Sequence, residues 1–229
     1  MTAVSTSSTV AELVVDRPSR ARILEHLGLD YCCGGKRPLG EACEARGLDA
    51  ETVVALLNAD LGSDAPAALD WARAPLGDLR EHIVEEHHGY LRRELPRLST
   101  LWEKVERSHG AESPAAHDVR LAFEQLRADL ESHTAEEEHV VFPRLREVED
   151  GGPVDEELVN DLETLVWEHA SAGELLERLR ELTGGFDASR GLCNTHRAAI
   201  DGLSELQRDL HEHIHEENNI LFPRVLARA

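Results

Sequence analysis

Apolar residues recur three and four positions apart through four long stretches of the 229-residue chain, roughly 75–108, 114–147, 154–183 and 190–226. Spacing of that kind lays an apolar stripe along one side of an α-helix. The stretches are separated by short breaks, "SHGAESP", "EDGGP" and "TGGFDASRG", and long amphipathic helices joined by short loops pack as antiparallel neighbours. The pattern therefore predicts an all-α, up-down-up-down four-helix bundle over residues 75–229. Ahead of it, shorter helical patterns lie in "TVAELVV", "PSRARILEHLG", "PLGEACEARG" and "DAETVVALLNADLG", and the last three stop at glycines suited to a helix C-cap. They predict a small helical domain over 1–62, joined to the bundle by a Gly, Pro, Ala and Asp-rich linker at 63–74.

Polar residues interrupt two of the bundle stripes without breaking their period. The second helix reads Val119, Phe123, Leu126, Leu130, then His133, Glu137 and Val140; the fourth reads Ile200, Leu203, Leu206, Leu210, then His213, Glu217 and Ile220. These histidines and glutamates are thus expected to point inward, where a carboxylate is costly unless it is paired or bound to a metal. The two copies belong to an internal repeat: "ESHTAEEEHVVFPRL" (131–145) and "HEHIHEENNILFPRV" (211–225) align at a constant offset of 80. The third helix adds His169 on the row Leu162, Val166, Gly173, Leu176. On the first helix His82, His87 and His88 compete, and His88, seven residues before Leu95, fits best, although periodicity leaves His87 open.

The resulting set is His88, His133, Glu137, His169, His213 and Glu217. Four imidazoles and two carboxylates suit first-row transition metals, and two bridging carboxylates can hold a metal pair with room for an oxo or hydroxo bridge and open positions for a small ligand. His139, His211 and His215 fall off these rows and are expected on a solvated face, as are His26, His109, His117 and His196.

Composition narrows the partners. The formal charge is −21, and residues after 62 carry 36 acidic against 18 basic side chains. A surface so negative repels phosphate backbones and anionic lipid, so neither nucleic acid nor membrane is an expected partner. No apolar run of membrane-spanning length and no basic-then-apolar leader is present, and four cysteines without a disulfide framework agree with a reducing compartment. The expected location is the cytoplasm; oligomeric state is not legible. Cys43 and Cys193 read as packing residues. Cys32 and Cys33, adjacent in "DYCCGGKR", read either as small buried residues in a glycine turn or as thiolates favoured by flexible backbone and by Lys36 and Arg37.

"DYCCGGK" in a short helical domain, followed by a bundle with "HTAEE…FPR" and "HIHEENNILFPR", resembles the repair-of-iron-centres family of bacterial di-iron proteins, with a hemerythrin-like domain. The resemblance spans about residues 8–226. It implies a non-haem centre of two Fe ions held by the six residues above, with His88 rather than His87 and with Glu137 and Glu217 bridging. It further implies repair of iron-sulfur proteins damaged by nitric oxide or oxidants, with NO or O2 as small ligands and Cys32 and Cys33 as a thiol pair. The alternative in another class is a hemerythrin-type carrier or sensor of O2 or NO without turnover.

Overall fold

The computed structural model describes residues 4–59, 70–111 and 115–228; residues 63–69 of the expected linker lie outside them. The described chain is all-α and divides into two compact units, Met1–Leu79 with His211–Arg228, and Arg80–Leu210.

In the first unit, α1 (Val10–Asp16), α2 (Arg20–His26), α3 (Leu39–Ala45) and α4 (Ala50–Ala59) are short, so their ends matter. Thr9 opens α1 with a capping box: its hydroxyl accepts from Glu12 N–H (3.3 Å) and the Glu12 carboxylate accepts from Thr9 N–H (3.1 Å). Gly28 follows α2 at φ +67°, the left-handed conformation that a side chain disfavours. The core gathers Val10, Leu13, Leu24, Tyr31, Leu39, Cys43, Val53 and Leu57. Buried Arg20 ties the helices together by donating to Leu13 O (3.0 Å), Asp16 (2.9 Å) and Leu57 O (3.4 Å). α5 (Leu76–His82) begins here, with the end of the chain below it: Arg224 donates to Trp71 O and Ala74 O, each at 2.6 Å.

The second unit holds the bundle core. α6 (Gly89–His109), α7 (Ala115–Glu136), α9 (Glu156–Leu182) and the first part of α10 (Asn194–Glu216) enclose Leu95, Leu98, Trp102, Phe123, Leu126, Leu176, Leu203, Leu206 and Leu210. α8 (Phe142–Glu149) continues α7. Asp155 caps α9 by accepting from Leu158 N–H (2.9 Å), and Arg144 spans from α8 to Asp155 (2.7 Å) and Asp161 (2.5 Å), fixing the 150–155 turn.

Three wide π-helical turns interrupt these rods: Ile83–His88, Glu137–Val141 and Glu217–Leu221. In the second and third, Phe142 N–H bonds Glu137 O and Phe222 N–H bonds Glu217 O, five residues back. Pro143 and Pro223 come next; having no N–H, neither can make the ordinary α-helical bond to residue 139 or 219. Each wide turn adds a residue to the register, a feature that often marks functional sites. It accounts for one departure from the expected stripe: Val140 is 48% exposed and Val141 is buried in its place. On α9 the inward row is Leu162, Leu165, His169, Ala172, Leu176, so Val166 faces outward; the row through Val166 and the row through Leu165 share His169, and the sequence pattern does not separate them.

Candidate metal centre

Four of the expected ligands lie in the second unit and meet. His88, at the end of the first wide turn, His133 on α7, Glu137 at the start of the second wide turn, and His169 on α9 are all buried, with exposures from 0 to 6%. Glu137 presents Oε2 to His88 Nε2 at 3.2 Å and Oε1 to His133 Nε2 at 3.3 Å. His169 Nε2 lies 2.9 Å from His133 Nε2, with ring centroids 4.7 Å apart.

The far nitrogens decide what these contacts are. His88 Nδ1 bonds Glu138 Oε1 and His133 Nδ1 bonds Glu168 Oε2, both at 2.7 Å. An ionised carboxylate only accepts, so each Nδ1 carries a proton, and in the neutral ring Nε2 turns its lone pair toward the centre. In that form lone pairs of His88 and His133 face the oxygens of one buried carboxylate. Such atoms repel one another unless a proton or a cation lies between them, and a bound cation meets that need. Glu138 and Glu168 take the position of carboxylates that orient metal-ligating histidines. Burial pushes the Glu138 carboxyl up, but hydrogen bonds from His88 and Arg92 outweigh it, leaving Glu138 below its ordinary range. Phe142 of "FPR" stacks on His88 at 5.9 Å. Neither Glu138 nor Glu168 was picked out by periodicity, since both are half-buried flank residues; the signal available was a carboxylate adjacent in sequence to an inward ligand.

The other two expected ligands, His213 and Glu217, lie in the first unit, both buried, with His213 Nε2 3.2 Å from Glu217 Oε1. They repeat the His133–Glu137 pair, again with the glutamate opening a wide turn.

Residues 211–219, which include this pair, do something the sequence pattern did not anticipate. His215, expected in solvent, is 4% exposed; its Nδ1 faces Tyr31 O at 3.3 Å and its ring meets Tyr31 edge-on at 5.3 Å. Asn219, one turn on, donates to Tyr31 O (3.3 Å) and Cys32 O (3.2 Å). Burial pushes the His215 imidazole below its ordinary pKa. The row 211, 215, 219 therefore seats the cysteine turn. His196 is also buried, whereas His26, His117 and His139 are exposed as expected.

The cysteine turn is held rather than flexible. Asp30 accepts from the N–H groups of Cys32 (2.9 Å), Cys33 (3.0 Å) and Gly34 (2.8 Å). A Cβ on Gly35 would lie 2.4 Å from Tyr31 O and 2.7 Å from Ala11 Cβ, so close approach requires that glycine. Cys32 is buried, and its thiol sits well above the ordinary range because of its bond to Cys33, burial and Asp30. Of the two readings of this turn, Cys32 fits the buried one, its thiol held toward the neutral form, while Cys33 is half-buried.

Among the described residues, no helix is long and apolar enough to cross a membrane. Residues 79–225 match the hemerythrin HHE cation binding domain, and residues 6–61 match a domain of unknown function, DUF542. The chain is 35% identical over 218 residues to the iron-sulfur cluster repair protein YtfE of Musicola paradisiaca, covering 95% of this chain and 96% of that protein. It is 36% identical over 221 residues to the YtfE of Edwardsiella ictaluri, with the same coverage, and 34% identical over 218 residues to that of Escherichia coli strain UMN026. The chain belongs to the hemerythrin HHE family, among the YtfE iron-sulfur cluster repair proteins.

Proposed function

We propose that this chain is a cytoplasmic di-iron protein that restores iron-sulfur clusters damaged by nitric oxide or oxidants. In this reading His88, His133, His169 and His213 bind terminally, and Glu137 and Glu217 bridge the two ions. The observation that carries it is the placing of His88 Nε2 and His133 Nε2 3.2 and 3.3 Å from the two oxygens of buried Glu137, a donor arrangement suited to a carboxylate shared between cations. The exact offset of 80 between His133–Glu137 and His213–Glu217, each leading into a π turn before Phe-Pro-Arg, supports a second, matching half. Relatives named as cluster repair proteins over nearly the full length favour repair above simple gas carriage.

A bound iron pair would supply redox change and a place for NO or O2 to bind. The chain's own residues do the rest. Glu138 and Glu168 hold the protons of His88 and His133 on Nδ1 and so keep Nε2 available. Burial of these imidazoles, with Phe142 stacked on His88, excludes bulk water. Cys33 provides a thiol at the surface of the turn, beside the neutral Cys32, for exchange with a damaged cluster protein.

The test is iron quantitation with Mössbauer spectroscopy on anaerobically purified protein, before and after NO. Two antiferromagnetically coupled iron ions per chain, altered by NO, are expected. Glu137→Ala and Glu217→Ala should each lower iron content; an unchanged iron pair in the combined variant would overturn the ligand set. Cys32→Ser with Cys33→Ser should lower cluster repair while leaving iron content intact, and unchanged repair would remove the thiol role.

A further inference from the structure

His87 was the rejected competitor for the central site, yet it is 5% exposed and as firmly built in as His88. Its Nδ1 bonds Asp209 Oδ1 at 3.0 Å, the same carboxylate grip that Glu138 and Glu168 apply to His88 and His133. That grip places a proton on Nδ1, and in the neutral ring it puts the lone pair, the metal-binding electrons, on Nε2. The other oxygen of Asp209, Oδ2, is buried without a hydrogen-bond partner, an arrangement that calls for a nearby positive charge. His82 stands five residues earlier, half-exposed, with its ring edge-on to His87 at 5.4 Å. In an α-helix, positions five apart point about 140° away from each other; the wide turn Ile83–His88 brings these two onto one side. Each offers a ring nitrogen within 4.8 Å of the other.

We propose that His82 and His87, with Asp209 orienting His87, bind a divalent first-row transition-metal ion at a site separate from the central one. Imidazole nitrogens select ions of this class above magnesium or calcium. With His82 only half-buried, such a site loads and releases more readily than the buried centre. With His82 at the surface and His87 next in sequence to His88, it offers an incoming ion its first imidazoles.

The full-length protein, as purified with its central metal, is titrated with Co(II) alone. Ions retained per chain are counted by equilibrium dialysis and mass spectrometry, and the visible bands of nitrogen-bound Co(II) are recorded. Wild type is expected to take up one ion more than His82→Ala, which removes a half-exposed side chain and should keep the helical circular dichroism of the parent. Asp209→Asn should keep the extra ion with about tenfold weaker affinity. Equal Co(II) uptake and spectra in wild type and His82→Ala would overturn the proposal. A His133→Ala, Glu137→Ala protein separates the two sites: loss of the central metal with the extra Co(II) still bound supports the assignment, and loss of both overturns the claim of a separate site.

Discussion

Burial, with His109 stacked 6.5 Å away, holds the His196 imidazole below its ordinary pKa of 6.5. The unfolded chain then binds a proton that the folded chain resists, so His196 adds to stability-versus-pH in one direction only. Its contribution is level above about 6.5, and stability falls as pH drops from there toward the lowered pKa of the folded state. His196→Gln should flatten that dependence, read as the shift in urea midpoint between pH about 7.5 and about 5. Cys193, taken from the sequence as a packing residue, is half-exposed, and its thiol lies below the ordinary value because backbone N–H of His196, then His109, donates to it. Brief treatment with iodoacetamide should label Cys193 well before Cys43, whose thiol burial pushes up; peptide mass spectrometry gives the order. At this scale the sequence was legible where a residue's burial followed from its row, as for His133 or His169. It was silent where the role came from a contact distant in sequence. Nothing in the pattern says that His215 will meet Tyr31, or that His196 will lie under Trp102.

Helices were read to within a few residues at each end, because capping residues and glycines mark them chemically; Thr9 and Asp155 both cap as their types suggest. Thr9→Ala should therefore cost about 1 kcal/mol in chemical denaturation. The wide turns escaped the reading, since a period of 3.6 assumes that every turn is alike. Pro143 and Pro223 were visible in the repeat, but their effect on register was not. Pro143→Ala restores an N–H and permits an ordinary turn, which would swing Glu137 relative to His133. The helix should become no less stable while iron content falls, and a variant that keeps its full iron would show that the turn does not set the ligand geometry. Glu138→Gln leaves the shape alone and removes the anionic partner of His88 Nδ1; central metal affinity should weaken 10- to 100-fold, measured by competition with a chelator.

For the whole molecule the dominant quantity is a formal charge of −21. Like charges repel in the compact state more than in the expanded one, so monovalent salt should raise the thermal midpoint between about 10 mM and about 150 mM NaCl as the screening length shortens. A midpoint that fell would mean that attractive pairs such as Arg144 with Asp155 and Asp161 outweigh the net repulsion. Fold class and helix order were legible at this scale because stripe, break and repeat all agree on them. One stretch was only half legible. In 211–219, positions 213 and 217 form one row and 215 and 219 another, turned about 200° around the helix, and both rows are occupied. A single-residue deletion between Leu210 and Asn219 would rotate everything beyond it by about 100°, displacing Glu217 from His213 and Asn219 from the cysteine turn in one event. Point changes here can damage one row and spare the other, whereas a frame slip cannot; across descendants of this chain, length variation should collect in turns such as 150–155 and leave these nine residues with a fixed count.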